Sequence, residues 1–199
     1  MSYIALGAVI CEVTKWFIDN NISYALVGGL AVSFRTVERA TQDVDITLTT
    51  DSDSEAEEIV RGLQNLHYHV HALLEHSISK RIATVRLTSE RHQGVLLDLL
   101  FASSGIEREI VATAEKIEVL PEIFVDVASL PSLIAMKVLA ADEKRRPRDL
   151  FDLENLIKDA NSNELEEALN LLHIIHQRGF NRGKDLERDF LNYKGRFLS

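Results

Sequence analysis

The chain has 199 residues, 46% hydrophobic and 27% charged, with a formal net charge of −9. That length suits one domain, or a small domain with a helical annex, and suffices to bury a sizeable core. The acidic balance argues against indiscriminate coating of nucleic acid, and a lone cysteine excludes an intrachain disulfide framework and fits a reducing cytoplasm. Cys11 falls in an apolar helical pattern and is read as a core residue. The opening residues lack a basic start and Glu12 interrupts them, so no signal peptide is expected. No stretch approaches the roughly 18 continuous apolar residues of a membrane span.

In chain order, residues 3–20 have an amphipathic helical pattern with Ile10, Val13, Trp16 and Phe17 on one side, ended by Asn20 and Asn21. A short strand over 23–27 meets Gly28-Gly29, and a helix is expected over 30–38. Residues 43–49, DVDITLT, alternate and are β-branched, which predicts a strand. Ser52 and Glu55 have capping-box spacing at the head of a helix that runs to about residue 67. Strands follow at 67–71, 81–88 and 94–101, then a helix at 105–115 and two short strands around Pro121. From Ser129 the pattern is helical throughout, with Pro131 and Pro147 near helix starts.

The chemistry concentrates at Asp43 and Asp45. Side chains two apart on a strand share a face, so both carboxylates project together while Val44 and Ile46 turn into a core. Two close carboxylates resist joint ionisation, and a divalent cation relieves that; oxygen ligands suit magnesium or manganese. Asp98 is the one acid in an almost wholly apolar strand and is costly there without a partner. A neighbouring strand would bring it beside the pair, and three such carboxylates can hold two ions for phosphoryl or nucleotidyl transfer. Gly28-Gly29, between strand and helix, lets the backbone approach a phosphate.

A Gly-Gly turn, a helix, Asp-x-Asp on the next strand and a later strand aspartate together resemble the nucleotidyltransferase superfamily of the DNA polymerase β type. RATQDVD, Arg39 to Asp45, is similar to the Arg-x-Thr-x-Asp-x-Asp pattern of the AbiE-type toxin nucleotidyltransferases. Lys137, followed by Arg148, Asp149 and Asp152, resembles the same family's second signature, and the likeness spans roughly residues 20–160. It implies an α+β fold, a mixed β-sheet with flanking helices, and the change of pattern at Ser129 bounds that core at 1–128, with a C-terminal helical region over 129–199. It also implies transfer of a nucleoside monophosphate from an NTP with magnesium or manganese, two ions in all. Asp43, Asp45 and Asp98 would hold metal, and Asp98 could take the proton of the attacking hydroxyl. Gly28, Gly29, Arg39, Thr41 and Arg148 would bind nucleotide. Lys137 would meet phosphate charge, and Asp149 and Asp152 would orient Lys137 or Arg39. The acceptor is open between RNA (a tRNA end is favoured), a protein hydroxyl and a small alcohol, with an antitoxin as a further partner. The alternative is a catalytically silent protein that binds nucleotide or a partner on the same scaffold.

Three other patterns invite a site and are read otherwise. DSDSE at 51–55 mimics a calcium loop but has Ala56 and Gly62 where glycine and glutamate are needed. His67, His69 and His71 alternate, which places them on one exposed face of an edge strand. His173 and His176 are read as a partly exposed helix face. The cations at 178, 182, 184, 188, 194 and 196, and those in EKRRPRD at 143–149, are read as solvated helix faces.

Overall fold

A computed structural model describes residues 3–37, 41–92, 94–142 and 147–198. Helix α1 (Tyr3–Asp19) leads through Asn21, in the left-handed region at φ 56°, into β1 (Tyr24–Val27). Then come α2 (Gly28–Arg35), β2 (Asp43–Leu48), α3 (Asp53–Asn65), β3 (His69–Glu75), β4 (Ile82–Thr88) and β5 (Leu96–Leu100). After α4 (Glu107–Ala112), β6 (Glu115–Leu120) and β7 (Ile123–Val127), the remaining elements are helices. These are α5 (Leu130–Ala140), α6 (Pro147–Asp159), α7 (Ser162–Gln177) and α8 (Leu186–Phe197).

The strands form one mixed sheet in the order β3-β4-β5-β2-β1-β7-β6. β2 lies at its centre, parallel to β5 and antiparallel to β1. Alternation along these strands separates two faces. Val44, Ile46, Val85, Leu87, Leu97 and Leu99 are buried on one, in a core shared with Val9, Val13 and Phe17 of α1. Asp43, Asp45, Thr84, Arg86, Asp98 and Leu100 occupy the other face and line a cavity. Cys11 is half-buried beside the buried stripe of α1, not within it.

Helix α5, LIAMKVLA at its centre, packs against α2, α6, α7 and α8. Its apolar residues therefore find partners on every side, and Leu133, Ile134, Ala135, Val138 and Leu139 are buried. Among the described residues no helix is long and apolar enough to cross a membrane.

Three local expectations are corrected. α2 begins at Gly28 itself, so the glycines form the first helical turn instead of preceding it; it ends at Arg35, whose guanidinium donates to the carbonyls of Val127 and Ala128. The helix expected over 105–115 shrinks to Glu107–Ala112, because Glu115 already pairs with Val127 in the sheet. His67 precedes β3 in a left-handed turn at φ 65°, and the β3–β4 register shifts between Val70 and Ala72, around His71. The three histidines are exposed at an edge strand, but the turn and the bulge break their common face.

Candidate functional site

The register of the sheet builds the site. Asp45 lies opposite Val27 on one side and Asp98 on the other, and Asp98 lies opposite Arg86. Asp43, two residues before Asp45, shares its face. The row brings together all three carboxylates expected from the sequence, on adjacent strands, at the floor of a cavity of about 530 Å³. Gly28, Gly29, Lys137, Arg148 and Asp149 line the same cavity.

Gly28 is required by geometry. Its φ is +69°, and a Cβ added there would overlap the carboxylate of Asp45. The turn from β1 into α2 thus lets backbone and carboxylate touch at the bottom of the cavity.

Burial, then the like charges of Asp98 and Asp43, push the Asp45 carboxyl up from 3.8 to about 7. Burial and the Asp98 charge also raise Asp43, while Arg86 works in the opposite direction. Carboxylates that resist ionisation for these reasons are ones a divalent cation would stabilise, so the oxygen donors of Asp43 and Asp45 fit magnesium or manganese. Asp98 is differently placed. Arg86 Nε donates to its Oδ1 at 2.7 Å and Nη2 to its Oδ2 at 2.6 Å, a fork-on-fork pair. Among the described residues no three His, Cys, Asp or Glu are grouped so as to hold a metal ion.

Lys137 reaches the cavity from α5. Its Nζ donates to Asp149 Oδ1 at 2.8 Å and lies 2.7 Å from Asp152 Oδ2, with all three side chains buried. The expected partnership of Asp149 and Asp152 with Lys137 is present. Its local cause is visible in α6, where residues 149, 152, 153, 156 and 157 form one helical stripe and are buried. Two acids on the inward stripe must meet a cation, and the opposing α5 carries one charge, Lys137.

Other expected nucleotide contacts divide. Arg148 is exposed and lines the cavity; Thr41 is half-buried just before β2, outside the cavity lining; Arg39 lies outside the described residues. Sequence reading passed over Arg86, whose signal was a lone cation at a face position of an alternating strand. It also passed over the Ser103–Gly105 loop at the cavity wall. There the buried carboxylate of Glu107 accepts from the N–H groups of Ser103, Ser104 and Gly105 through Oε1, at 2.9, 2.6 and 3.3 Å.

Arg178 and Arg182 of the basic tail are exposed, as expected of solvated faces, and with half-buried Lys184 they also tie the tail to the rest of the chain. Arg178 forms a two-pronged pair with Glu109 and donates to the Gly105 carbonyl. Arg182 donates to the carbonyl of Ser103, and Lys184 to those of Leu139 and Ala141. Arg188 remains exposed, and residues 143–146 lie outside the described residues. The rejected calcium loop has structural work. Ser52 caps α3 by accepting from the Glu55 N–H, and Asp53 accepts from Arg81 Nε and the Ile82 N–H, tying α3 to β4. His173 and His176 bond separately, to Glu187 and Gln177 and to Asn181.

A family model described as "Nucleotidyl transferase AbiEii toxin, Type IV TA system" matches residues 17–196. No curated protein matches. Among solved structures the chain is similar to an antigenic nucleotidyltransferase-like protein from Paracoccidioides brasiliensis. That likeness has 19% identity and a TM-score of 0.55, over 96% of this chain and 94% of that one. It is also similar to ANT(2")-Ia in complex with adenylyl-2"-tobramycin, at 15% identity and a TM-score of 0.55, over 86% and 97% of the two chains. A third likeness is to the lincosamide antibiotic adenylyltransferase LnuA bound to lincomycin, at 14% and 0.52, over 80% and 99%. At these identities the three likenesses are likenesses of fold.

Proposed function

Because the chain belongs to the AbiEii nucleotidyl transferase toxin family, we propose that this nucleotidyltransferase moves a nucleoside monophosphate from an NTP to an acceptor hydroxyl in a metal-dependent reaction. The observation that carries the reading is the strand register that sets Asp45 against Asp98, with Asp43 on the same face and Lys137 across the cavity. Asp43 and Asp45 would hold magnesium or manganese. The chemistry such a cation supplies is charge neutralisation at the transferring phosphoryl group. In the transfer the acceptor oxygen bonds to the α-phosphorus, the bond to the bridging oxygen breaks, and pyrophosphate departs. Asp98 takes the acceptor's proton once its oxygens are released. Lys137 uses two donors on Asp149 and Asp152 and turns its third N–H to phosphate. Gly28, Gly29 and Arg148, with Thr41 and Arg39, bind the nucleotide. In this reading residues 1–128 are the catalytic core, and residues 129–199 supply Lys137 from the facing side. We favour RNA, a tRNA end included, as acceptor, since a nucleotidyl-transferring toxin must modify something the cell depends on. An antitoxin is the expected partner.

The test incubates the protein with each of the four α-labelled NTPs, magnesium and total RNA, or extract protein in place of RNA. Label on RNA that disappears in an Asp43→Ala/Asp45→Ala variant supports the reading. Label on protein alone moves the acceptor to a protein hydroxyl. No label on either, and no pyrophosphate released with small-molecule extract, sinks the reading.

A further inference from the structure

We propose that Arg86 is a positioning residue which withholds Asp98 from a divalent cation until a nucleoside triphosphate draws its guanidinium away. The inference rests on the metal-dependent reading above and adds an order of events to it.

Three observations carry it. Both oxygens of Asp98 are taken, at 2.7 and 2.6 Å, by two nitrogens of one guanidinium. That arrangement is a planar, bidentate match between fork and carboxylate, stronger than a single point-charge contact. Second, the pair is built into the sheet. Arg86 and Asp98 are direct cross-strand partners, while Asp98 is also the direct partner of Asp45. The same carboxylate is therefore a neighbour of the cation-binding pair and of the arginine that competes for it. Third, the two partners differ in freedom. The Asp98 side chain is 11% exposed and the Arg86 side chain 39%. Asp98 cannot leave the floor, but the longer arginine borders the open cavity and can swing into it.

A phosphate group presents a guanidinium with the same bidentate geometry as a carboxylate. A triphosphate in this cavity thus offers Arg86 an equivalent partner a short distance away, and the exchange frees Asp98. Before the exchange, the chain has Asp43 and Asp45 for one weakly held cation. After it, Asp98 joins them. The guanidinium offsets part of the repulsion among three carboxylates in a row in the empty chain.

The test counts bound manganese by the loss of the free-ion electron paramagnetic resonance signal, so no turnover is needed. The proteins are the full-length wild type, Arg86→Met, Asp98→Asn and the double variant, each without nucleotide. Arg86→Met is expected to bind manganese at least about tenfold more tightly than wild type, since it both frees a ligand and removes a nearby positive charge. Asp98→Asn alone removes a nearby negative charge and leaves the Arg86 guanidinium unpaired, so it is expected to weaken manganese binding several-fold by charge alone, although Asp98 is not a ligand in that state. Removal of charge alone would give Arg86→Met the same gain in the Asp98→Asn background as with Asp98, whereas release of the ligand gives most of the gain only with Asp98, so the double variant compared with Asp98→Asn separates the two. With a non-hydrolysable nucleoside triphosphate added, Asp98→Asn weakens manganese binding by a larger factor than without it. If Arg86→Met does not fold, Arg86→Lys takes its place. It keeps the charge and loses the fork, so any tightening it shows, lost again with Asp98→Asn, reports the release of Asp98.

Equal isotherms for the wild type and the Arg86 variant overturn the proposal. So does an equal gain from Arg86→Met with Asp98 and in the Asp98→Asn background, since Asp98 would then not be the ligand released. Failure of every protein to bind manganese, with or without the analogue, is a different result: it removes the metal-dependent reading itself.

Discussion

Lys137→Met should be among the most damaging single substitutions in the chain for stability. Lys137 is 8% exposed, its ammonium lies 2.8 Å from one carboxylate and 2.7 Å from another, and those side chains are 6% and 1% exposed. Methionine fills similar space and suits a helix, so packing and propensity change little. What changes is that two buried acids lose a cation they share. Removing one partner of a buried pair costs about 3–5 kcal/mol, against a total stability of about 5–15 kcal/mol for a domain. With a urea m-value of about 2–3 kcal/mol/M, the unfolding midpoint should fall by about 1–2 M. Urea denaturation followed by circular dichroism measures this. The companion variant Lys137→Met/Asp149→Asn/Asp152→Asn removes the uncompensated charge together with the lysine and should recover at least about half of the loss. A Lys137→Met midpoint within about 0.4 M of wild type would refute the reasoning, since the acids would not then depend on the lysine. So would a triple variant less stable than the single one.

Gly28→Ala should destabilise by about 2 kcal/mol through its left-handed φ and should abolish transfer, because the new methyl displaces the Asp45 carboxylate; thermal melts and labelled-NTP transfer read the two effects separately. Asp45 gives a pH dependence. Its carboxyl, raised to about 7 from 3.8 mainly by burial, keeps a proton in the native chain that the unfolded chain has released. Metal-free stability should therefore fall as pH rises from about 4 to about 7, and Asp45→Asn should flatten that slope when melts in chelator are compared at the two ends. Glu107→Ala strips an acceptor from three N–H groups in the Ser103–Gly105 loop and should cost about 2–4 kcal/mol in urea titration. Arg148→Ala, at an exposed position on the cavity, should leave stability within about 0.5 kcal/mol of wild type while raising KM for NTP.

Much of the site was legible because it obeys local rules. Asp43 and Asp45 share a face because side chains alternate along any strand, and Val44 and Ile46 on the other face say which side is the core. Asp98 announced itself as one acid in an apolar strand, whereas Asp149 and Asp152 stood out through the family resemblance and not through a local rule. The elements were placed within a few residues for the same reason, except where a pairing partner overruled the local pattern. Glu115 left the expected helix for the sheet, and His67 and His71 left the expected face for a turn and a bulge.

What the sequence by itself determined is which residues carry chemistry and which way each points along its own element: the carboxylate pair, the glycine turn and the lone strand acid. Only the tertiary structure decided who meets whom. In VRL, Arg86 looks like a solvated strand cation until the β4–β5 register puts it on Asp98. The cations at 178, 182 and 184 look like solvated residues until they meet backbone carbonyls and the Glu109 carboxylate. The physical reason is range. Periodicity and capping are fixed by the backbone within a turn or two of helix or a few residues of strand. The partner of a charge is fixed by strand register and helix packing between segments far apart in the chain.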